Sequence, residues 1–119
     1  MTIAIPSRGD RGLEDEINEH FGKAPYYTFV NIENNEIKDF EVKRVPFSEH
    51  RPGQIPEWIK QNGAECVICW GMGKRAQEWF EKFGINVIMG CSGKIKDVVE
   101  DYIKGSLEKG EWKCGKCKE

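Results

Sequence analysis

The stretch ECVICWGMGKRAQEWFEKFGINVIMG, residues 65–90, decides the fold. Its first part, ECVICW, predicts a buried strand, and INVIM near its end predicts another. Between them, residues 74–84 predict a helix that ends on a glycine. The apolar stripe of that helix consists of Ala76, Trp79, Phe80 and Phe83. A strand, a helix and a strand in succession indicate two parallel strands joined by a right-handed crossover.

The flanking sequence extends this unit to a five-stranded mixed sheet. Upstream, TIAIP (2–6), YYTFVNIE (26–33) and EIKDFEVKRV (36–45) predict three strands in an antiparallel meander, with Asn34 and Asn35 in a tight turn. A helix is predicted from near Gln54 to Gly63, and another over 94–105. The predicted order is βββαβαβα, an α/β fold with helices on both faces of the sheet.

This topology predicts that the candidate functional residues lie at one edge of the sheet. If the first, third, fourth and fifth strands run the same way, the loops 6–26, 45–54, 69–74 and 89–94 emerge together, where open α/β sheets bind ligands. The soft or titratable residues in or beside them are His20, His50, Cys69, Met72 and Cys91. A single loop histidine is usually a polar surface residue, so their convergence favours a site.

Length and composition restrict the class of protein. The 119 residues suit one domain, predicted over 1–107 and followed by a flexible tail, 108–119. The net charge of -2 argues against nucleic-acid binding. The sequence has neither a stretch long enough to span a bilayer nor a signal peptide, so we expect a cytoplasmic protein.

Two glycine turns are candidate ligand sites. In WGMGKRA, Gly71 and Gly73 allow close approach to the backbone, and Lys74 and Arg75 add charge that suits an anion. The alternative is a tight turn that needs glycine for its dihedral angles. In GCSGK, Ser92 and Gly93 offer a similar cradle, and helix N–H groups could lower the pKa of the Cys91 thiol. There the alternative is a small residue that fills a tight turn.

The other cysteines fall into two groups. Cys66 and Cys69 are three apart on a strand and so face opposite sides, which predicts that Cys66 lies in the core. Cys69, at the end of the strand, lies in the core or, alternatively, reaches the edge. Cys114 and Cys117 form a terminal CGKC, half of a zinc or iron site. A redox dithiol and an unstructured tail are the alternatives. We expect a separate mobile site, completed by a cluster or by a second chain in a homodimer.

Four stretches resemble a known family. They are EHFGKAPYY (19–27), GQIPEWIKQNGAECVI (53–68), GMGKRAQEWF (71–80) and GINVIMG (84–90). They resemble the dinitrogenase iron–molybdenum cofactor biosynthesis family, which includes NifX-type carrier domains, the domain attached to many NifB proteins, and the orange protein. The resemblance covers roughly residues 2–107. It implies a ribonuclease H-like three-layer α/β fold, and it points to His20, Gly71, Gly73 and Arg75 as functional positions.

The family resemblance also implies a function. We expect a binding or carrier protein, not an enzyme, for an iron–sulfur or molybdenum–iron–sulfur cluster or its precursor, in cofactor assembly or storage. His20 and Cys91 would be direct ligands, and proteins that donate or accept clusters would be its partners. Two alternatives stay open: a thiol–disulfide oxidoreductase acting through Cys114 and Cys117, and a ligand-free regulatory or structural module. A nuclease is disfavoured, because the first strand lacks the carboxylate that two-metal chemistry requires.

Overall fold

The computed structural model describes residues 1–46 and 53–104. The strands are β1 (Thr2–Ser7), β2 (Tyr26–Glu33), β3 (Glu36–Arg44), β4 (Cys66–Ile68) and β5 (Asn86–Ile88). The helices are α1 (Gln54–Gln61), α2 (Lys74–Phe83) and α3 (Ile95–Ile103), and short 3-10 turns cover Gly12–Glu14 and Phe21–Lys23. The predicted order of elements is therefore confirmed, with β4 and β5 shorter than expected.

The five strands form one mixed sheet in the order β3-β2-β1-β4-β5. β2 is antiparallel to both β1 and β3, whereas β4 is parallel to β1 and β5. The predicted meander and parallel unit are both confirmed, and the arrangement is compatible with a ribonuclease H-like fold. Because β1, β4 and β5 run the same way, their carboxyl ends lie at one edge, which we call the carboxyl edge.

A buried core lies on each face of the sheet. On one face, α3 covers apolar side chains that include Ile3, Ile5 and Ile68. On the other, α1 and α2 cover a cluster that includes Tyr27, Phe29 and Phe80. Helices on both faces give the predicted three layers.

Local sequence explains where the elements end. Asn34 and Asn35 both have positive φ angles, 55° and 63°, which suits the two-residue turn between β2 and β3. α2 ends at Gly84, whose φ of 76° allows the left-handed C-terminal cap. The buried residues of α3 recur at helical spacing and so form one face: Ile95, Val98, Val99 and Tyr102.

The chain leaves the described region at the edge opposite the carboxyl edge. Glu100, Ile103 and Lys104 at the end of α3 line a surface cavity together with residues 35–37 of the β2–β3 hairpin. The described part of the chain therefore ends at the far edge. Cys114 and Cys117, the boundary at 107, and His50 lie outside the described residues, and the expectations for them stay predictions. No helix among the described residues is long and apolar enough to cross a membrane.

Candidate ligand-binding edge

Two glycine turns leave the carboxyl edge side by side. The GMG turn, residues 69–73, joins β4 to α2, and the GCSG turn, residues 89–94, joins β5 to α3. Backbone hydrogen bonds link them beyond the strands: Gly90 N donates to Trp70 O at 2.8 Å, and Cys91 N donates to Cys69 O at 3.1 Å. The topology therefore brings both predicted cradles together.

The GCSG turn is fixed by its own conformation. Gly90 and Gly93 have φ angles of 87° and 101°. Residues with a Cβ adopt this backbone conformation only at a cost in free energy. Between them, the fully buried Cys91 belongs to the core beneath α3. The tight-turn interpretation therefore accounts for the glycines and for the small residue in this segment.

The GCSG turn is also held by the loop that follows β1. Ile17 N donates to Gly93 O, and Ile95 N donates to Asp15 O, both at 2.9 Å. The Lys94 ammonium lies 3.2 Å from the Glu14 carboxylate. These contacts occupy the backbone on one side of the turn, and they connect it to residues 14–17.

The buried Asp15 side chain stabilises that loop through hydrogen bonds to its backbone. Its carboxylate accepts hydrogen bonds from the backbone N–H groups of Glu16, at 2.9 Å, and Arg11, at 3.1 Å. Burial raises the pKa of this carboxyl, but the backbone donors and the Arg11 guanidinium outweigh burial and hold the pKa below its ordinary value. The acidic residues between positions 10 and 19 predict a solvated face, and for Asp15 this prediction is wrong, because its side chain is almost fully buried.

The three described thiols are all buried. Cys66 lies on the α3 side of the sheet and Cys69 on the α1–α2 side, as the strand spacing predicts. Burial, and then the neighbouring Cys91 and Cys66, raise the pKa of Cys69 to about 12. Three residues separate Cys91 from Ile95, the first residue of α3, so its thiol is not placed in the first turn of that helix.

The GMG turn differs from the GCSG turn. Neither Gly71 nor Gly73 has a positive φ, and a Cβ built on either would meet no atom within 4 Å. By contrast, Gly53 has a φ of 80°, and a Cβ there would lie 2.7 Å from the Trp79 ring. The dihedral explanation therefore fails for the GMG turn: neither the backbone conformation nor internal packing requires its glycines.

The start of α2 adds positive potential to the GMG turn. Gly73 is the N-cap residue and provides no side-chain cap, so the N–H groups of the first turn of the helix remain available to a ligand. Lys74 and Arg75 follow directly and are exposed. Their side chains form no ion pair with any residue that the structure describes.

The loop histidine is held by its neighbour. Phe21 is buried, with its ring edge-on to Tyr27 and Phe80 at centroid distances of 5.5 and 5.6 Å, and the Tyr27 hydroxyl donates to Phe21 O. His20 and Gly22 on either side are exposed. Phe21 and Met72 pack in the same core cluster, so that cluster anchors both the histidine loop and the GMG turn.

The edge thus unites part of the predicted site. His20, Gly71, Gly73, Lys74 and Arg75 present exposed or half-exposed groups, whereas Cys91 faces the core. Sequence reasoning missed Gly22, although it belongs to the EHFG motif. Among residues 1–46 and 53–104, no group of three or more His, Cys, Asp or Glu side chains could hold a metal ion.

Known proteins are similar to this chain in sequence and in fold. The family model described as "Dinitrogenase iron-molybdenum cofactor" matches residues 1–105. The crystal structure of PH0822 is 43% identical, with a TM-score of 0.82, over 88% of this chain and 92% of that one. "Uncharacterized protein MJ0580" of Methanocaldococcus jannaschii is 29% identical over 114 residues, which are 93% of this chain and 92% of that protein.

A solved structure with a less similar sequence has the same fold. The apo form of the orange protein from Desulfovibrio gigas is 19% identical, with a TM-score of 0.77, over 89% of each chain. At that identity, the likeness concerns the fold alone. The family match, in contrast, spans nearly the whole described sequence and includes both glycine turns and the histidine loop. The chain belongs to the dinitrogenase iron–molybdenum cofactor family.

Proposed function

We propose that this protein binds and carries an anionic iron–sulfur or molybdenum–sulfur cluster, or its precursor, in front of the GMG turn. Membership of the family supports the chemical class of the cargo. The proposal includes no bond-breaking step, so the protein acts as a carrier or a store and not as an enzyme. Its partners are the proteins that donate or accept the cluster.

One observation carries the proposal: at three exposed or half-exposed glycines near the carboxyl edge, neither the φ angle nor internal packing requires glycine. At Gly22, Gly71 and Gly73, φ is not positive and a Cβ would enter open space. The remaining described glycines either have a positive φ or, at Gly9, would place a Cβ 3.0 Å from the Asp15 carboxylate. A ligand that comes close to the backbone supplies the missing reason, because a methyl group would stand in its way.

Charge and dipole favour an anion at the same place. The N-terminus of α2 carries partial positive charge, and Lys74 and Arg75 add two full charges beside it. Bridging and terminal sulfides give metal–sulfur clusters negative charge and accept N–H hydrogen bonds. The cluster would therefore be held largely through its sulfides by backbone groups and cations.

Of His20 and Cys91, the predicted direct ligands that the structure describes, only His20 is exposed. Metal binding requires a thiolate that can reach the ion, and the Cys69 thiol is fully buried. Cys91 would have to leave the core before its sulfur could meet a metal. Cys114, Cys117 and His50, outside the described residues, stay candidate ligands, and the dithiol alternative concerns that terminal pair.

The test is anaerobic titration of the full chain with tetrathiomolybdate and, separately, with iron plus sulfide. We expect a visible absorption band and bound metal, and weaker binding in the Gly71→Ala/Gly73→Ala and Arg75→Ala variants. The matched controls are Glu65→Ala, an exposed substitution at the opposite edge, and Lys104→Ala, which removes one charge there. Both controls should bind as the wild type does. If the glycine and arginine variants bind both probes undiminished, the cargo does not lie at the GMG turn.

A further inference from the structure

We propose that β5 pairs with an extended segment of a partner protein, which adds a sixth strand to the sheet and places a lysine or arginine beside Glu81. β5 is an outer strand, with β4 as its only neighbour in the sheet of the described region. A segment that binds in this way is recognised by backbone hydrogen bonds and by the side chains that point into a pocket. The inference depends on the sheet and on α2, and not on the cargo of the GMG turn.

The backbone of β5 has hydrogen-bonding groups that point away from the sheet. Asn86 N donates to Glu65 O at 3.2 Å. Cys69 N donates to Ile88 O at 2.9 Å, so both Asn86 and Ile88 face β4. Because the residues of a strand face its two neighbours alternately, the N–H and C=O of Val87 point to the free edge. An added strand would give these groups hydrogen-bond partners.

The two outer strands of the sheet differ in their protection against such pairing. The charged residues of β3 are Glu36, Lys38, Asp39, Glu41, Lys43 and Arg44. The Phe40 ring of β3 also packs on the backbone of Gly12. Charged side chains and covering loops protect an edge strand, yet residues 85–89, Ile-Asn-Val-Ile-Met, include neither a charge nor a proline. The sequence of the β5 edge therefore permits pairing.

A cavity beside the free edge selects one side chain of the partner. The volume of this cavity is about 360 Å³, and Gln77 and Glu81 line it from α2. Ile85, Val87 and Met89 line it from β5 and the residues that flank β5. Residues opposite each other on adjacent strands project to the same face of a sheet. The residue of the partner that pairs with Val87 would therefore enter this cavity.

Glu81 makes the cavity suitable for a basic side chain. Among the described residues that line the cavity, Glu81 alone carries a charge. It is exposed, and it forms no ion pair within residues 1–46 and 53–104. The stem of a lysine or arginine would pack on Val87 and Met89 while its charge meets the carboxylate. Glu78, nearly one turn earlier on α2, lines a different cavity.

A second copy of the chain fits this edge less well than a basic segment does. Two β5 strands that pair antiparallel in one sheet are related by a two-fold axis perpendicular to the sheet. Both α2 helices would then lie on the same face, with the two Glu81 carboxylates directed to the same seam. Like charges oppose that arrangement, whereas a basic side chain from another protein neutralises the carboxylate.

The test uses the isotopically labelled full chain and three synthetic peptides, with backbone amide shifts as the readout. The first peptide alternates valine and threonine around a central lysine, and the second has glutamate in place of the lysine. The third is the lysine peptide with methyl groups on the backbone nitrogens of its three central residues. We expect the lysine peptide to bind most tightly, to shift the amide signals of Val87 and Met89, and to leave that of Phe40 unchanged. The methylated peptide should bind about tenfold more weakly, because hydrogen bonds to β5 are lost.

Variants of the chain test the contribution of the cavity. Glu81→Gln should weaken binding of the lysine peptide about threefold, as expected for an exposed ion pair. Glu81→Lys should reverse the preference, so that the glutamate peptide binds more tightly. Glu78→Gln is the matched control and should bind the lysine peptide as the wild type does. Both positions are exposed, so all three variants should unfold thermally as the wild type does.

Several outcomes would overturn the sixth strand. They are the absence of binding by the lysine peptide, amide shifts confined to β3 or to another face, undiminished binding by the methylated peptide, or an unchanged preference for lysine in Glu81→Lys. Sedimentation of the full chain without peptide is the second measurement. A dimer in which hydrogen exchange of the Val87 amide is slowed would make a second copy the occupant. Binding of tetrathiomolybdate is measured separately, so its failure would contradict the proposed function and leave the β5 pairing standing.

Discussion

The two glycine turns lie next to each other, yet their glycines serve different purposes. In the GCSG turn, Gly90 and Gly93 adopt positive φ angles around the buried Cys91, and residues 15–17 bond to the backbone. In the GMG turn, Gly71 and Gly73 have ordinary backbone angles and open space where a side chain would begin. The first kind of glycine maintains the fold, and the second kind leaves room for something outside the chain.

The contrast teaches how to interpret a short glycine motif. Both turns follow a parallel strand and precede a helix, and both look alike as sequence. Only the φ angles and the space around each Cα separate a conformational requirement from an unexplained absence of a side chain. The comparison predicts that substitutions in the two turns have effects of opposite character.

The largest expected effect separates the turns by stability. Each of Gly90→Ala and Gly93→Ala should cost about 1–2 kcal/mol, because alanine is strained at positive φ. Gly71→Ala should instead leave stability unchanged or raise it by about 0.4–1 kcal/mol, by restricting the unfolded chain. Gly73→Ala should cost no more than about 0.5 kcal/mol, because alanine is a poorer N-cap than glycine. Urea unfolding of the two double variants measures both. Equal destabilisation of both variants would show that the turns do not differ.

The next effect concerns the loop that holds the GCSG turn. Asp15→Asn should destabilise the protein by about 1–3 kcal/mol, because hydrogen bonds to a charged acceptor are lost. The folded-state pKa of Asp15 is depressed, so its contribution is complete above the ordinary value of 3.8 and is lost as the pH falls through the folded value. The gap between the urea midpoints of wild type and variant should therefore stay constant from neutral pH down to about the ordinary value and narrow as the pH falls further.

The control for that experiment is Asp10→Asn, an exposed position in the same loop. It should change stability by no more than about 0.5 kcal/mol. If the gap between the wild type and Asp15→Asn stays constant down to low pH, the carboxylate charge does not support the loop.

The smallest effect belongs to the histidine loop beside the GMG turn. His20→Ala should weaken binding of iron plus sulfide by about tenfold, or about 1.4 kcal/mol, while stability changes by less than about 0.5 kcal/mol, since the side chain is exposed. Visible absorption and metal analysis measure the binding. Glu19→Ala, the adjacent exposed substitution, is the control, and full retention of iron by His20→Ala would remove the histidine from the site.

Much of the fold was predictable because its signals are local. Turn residues such as Asn34, Asn35 and Gly84 mark the ends of elements, and the apolar stripe of α3 sets the face that it buries. The convergence of His20 with Gly71 and Gly73 at one edge followed from strand direction alone. Asp15 was wrongly predicted to be exposed, because the sequence pattern does not distinguish one buried carboxylate from the exposed acids around it.

The sequence by itself determined the order of elements, the direction of each strand and the edge to which the loops belong. Periodicity and turn residues are properties of neighbouring positions, and they suffice for those features. Only the tertiary structure decided that Cys91 faces the core while Gly71 and Gly73 face open space. Burial and φ at a turn depend on what other segments place against it, here residues 14–17 on one turn and not on the other.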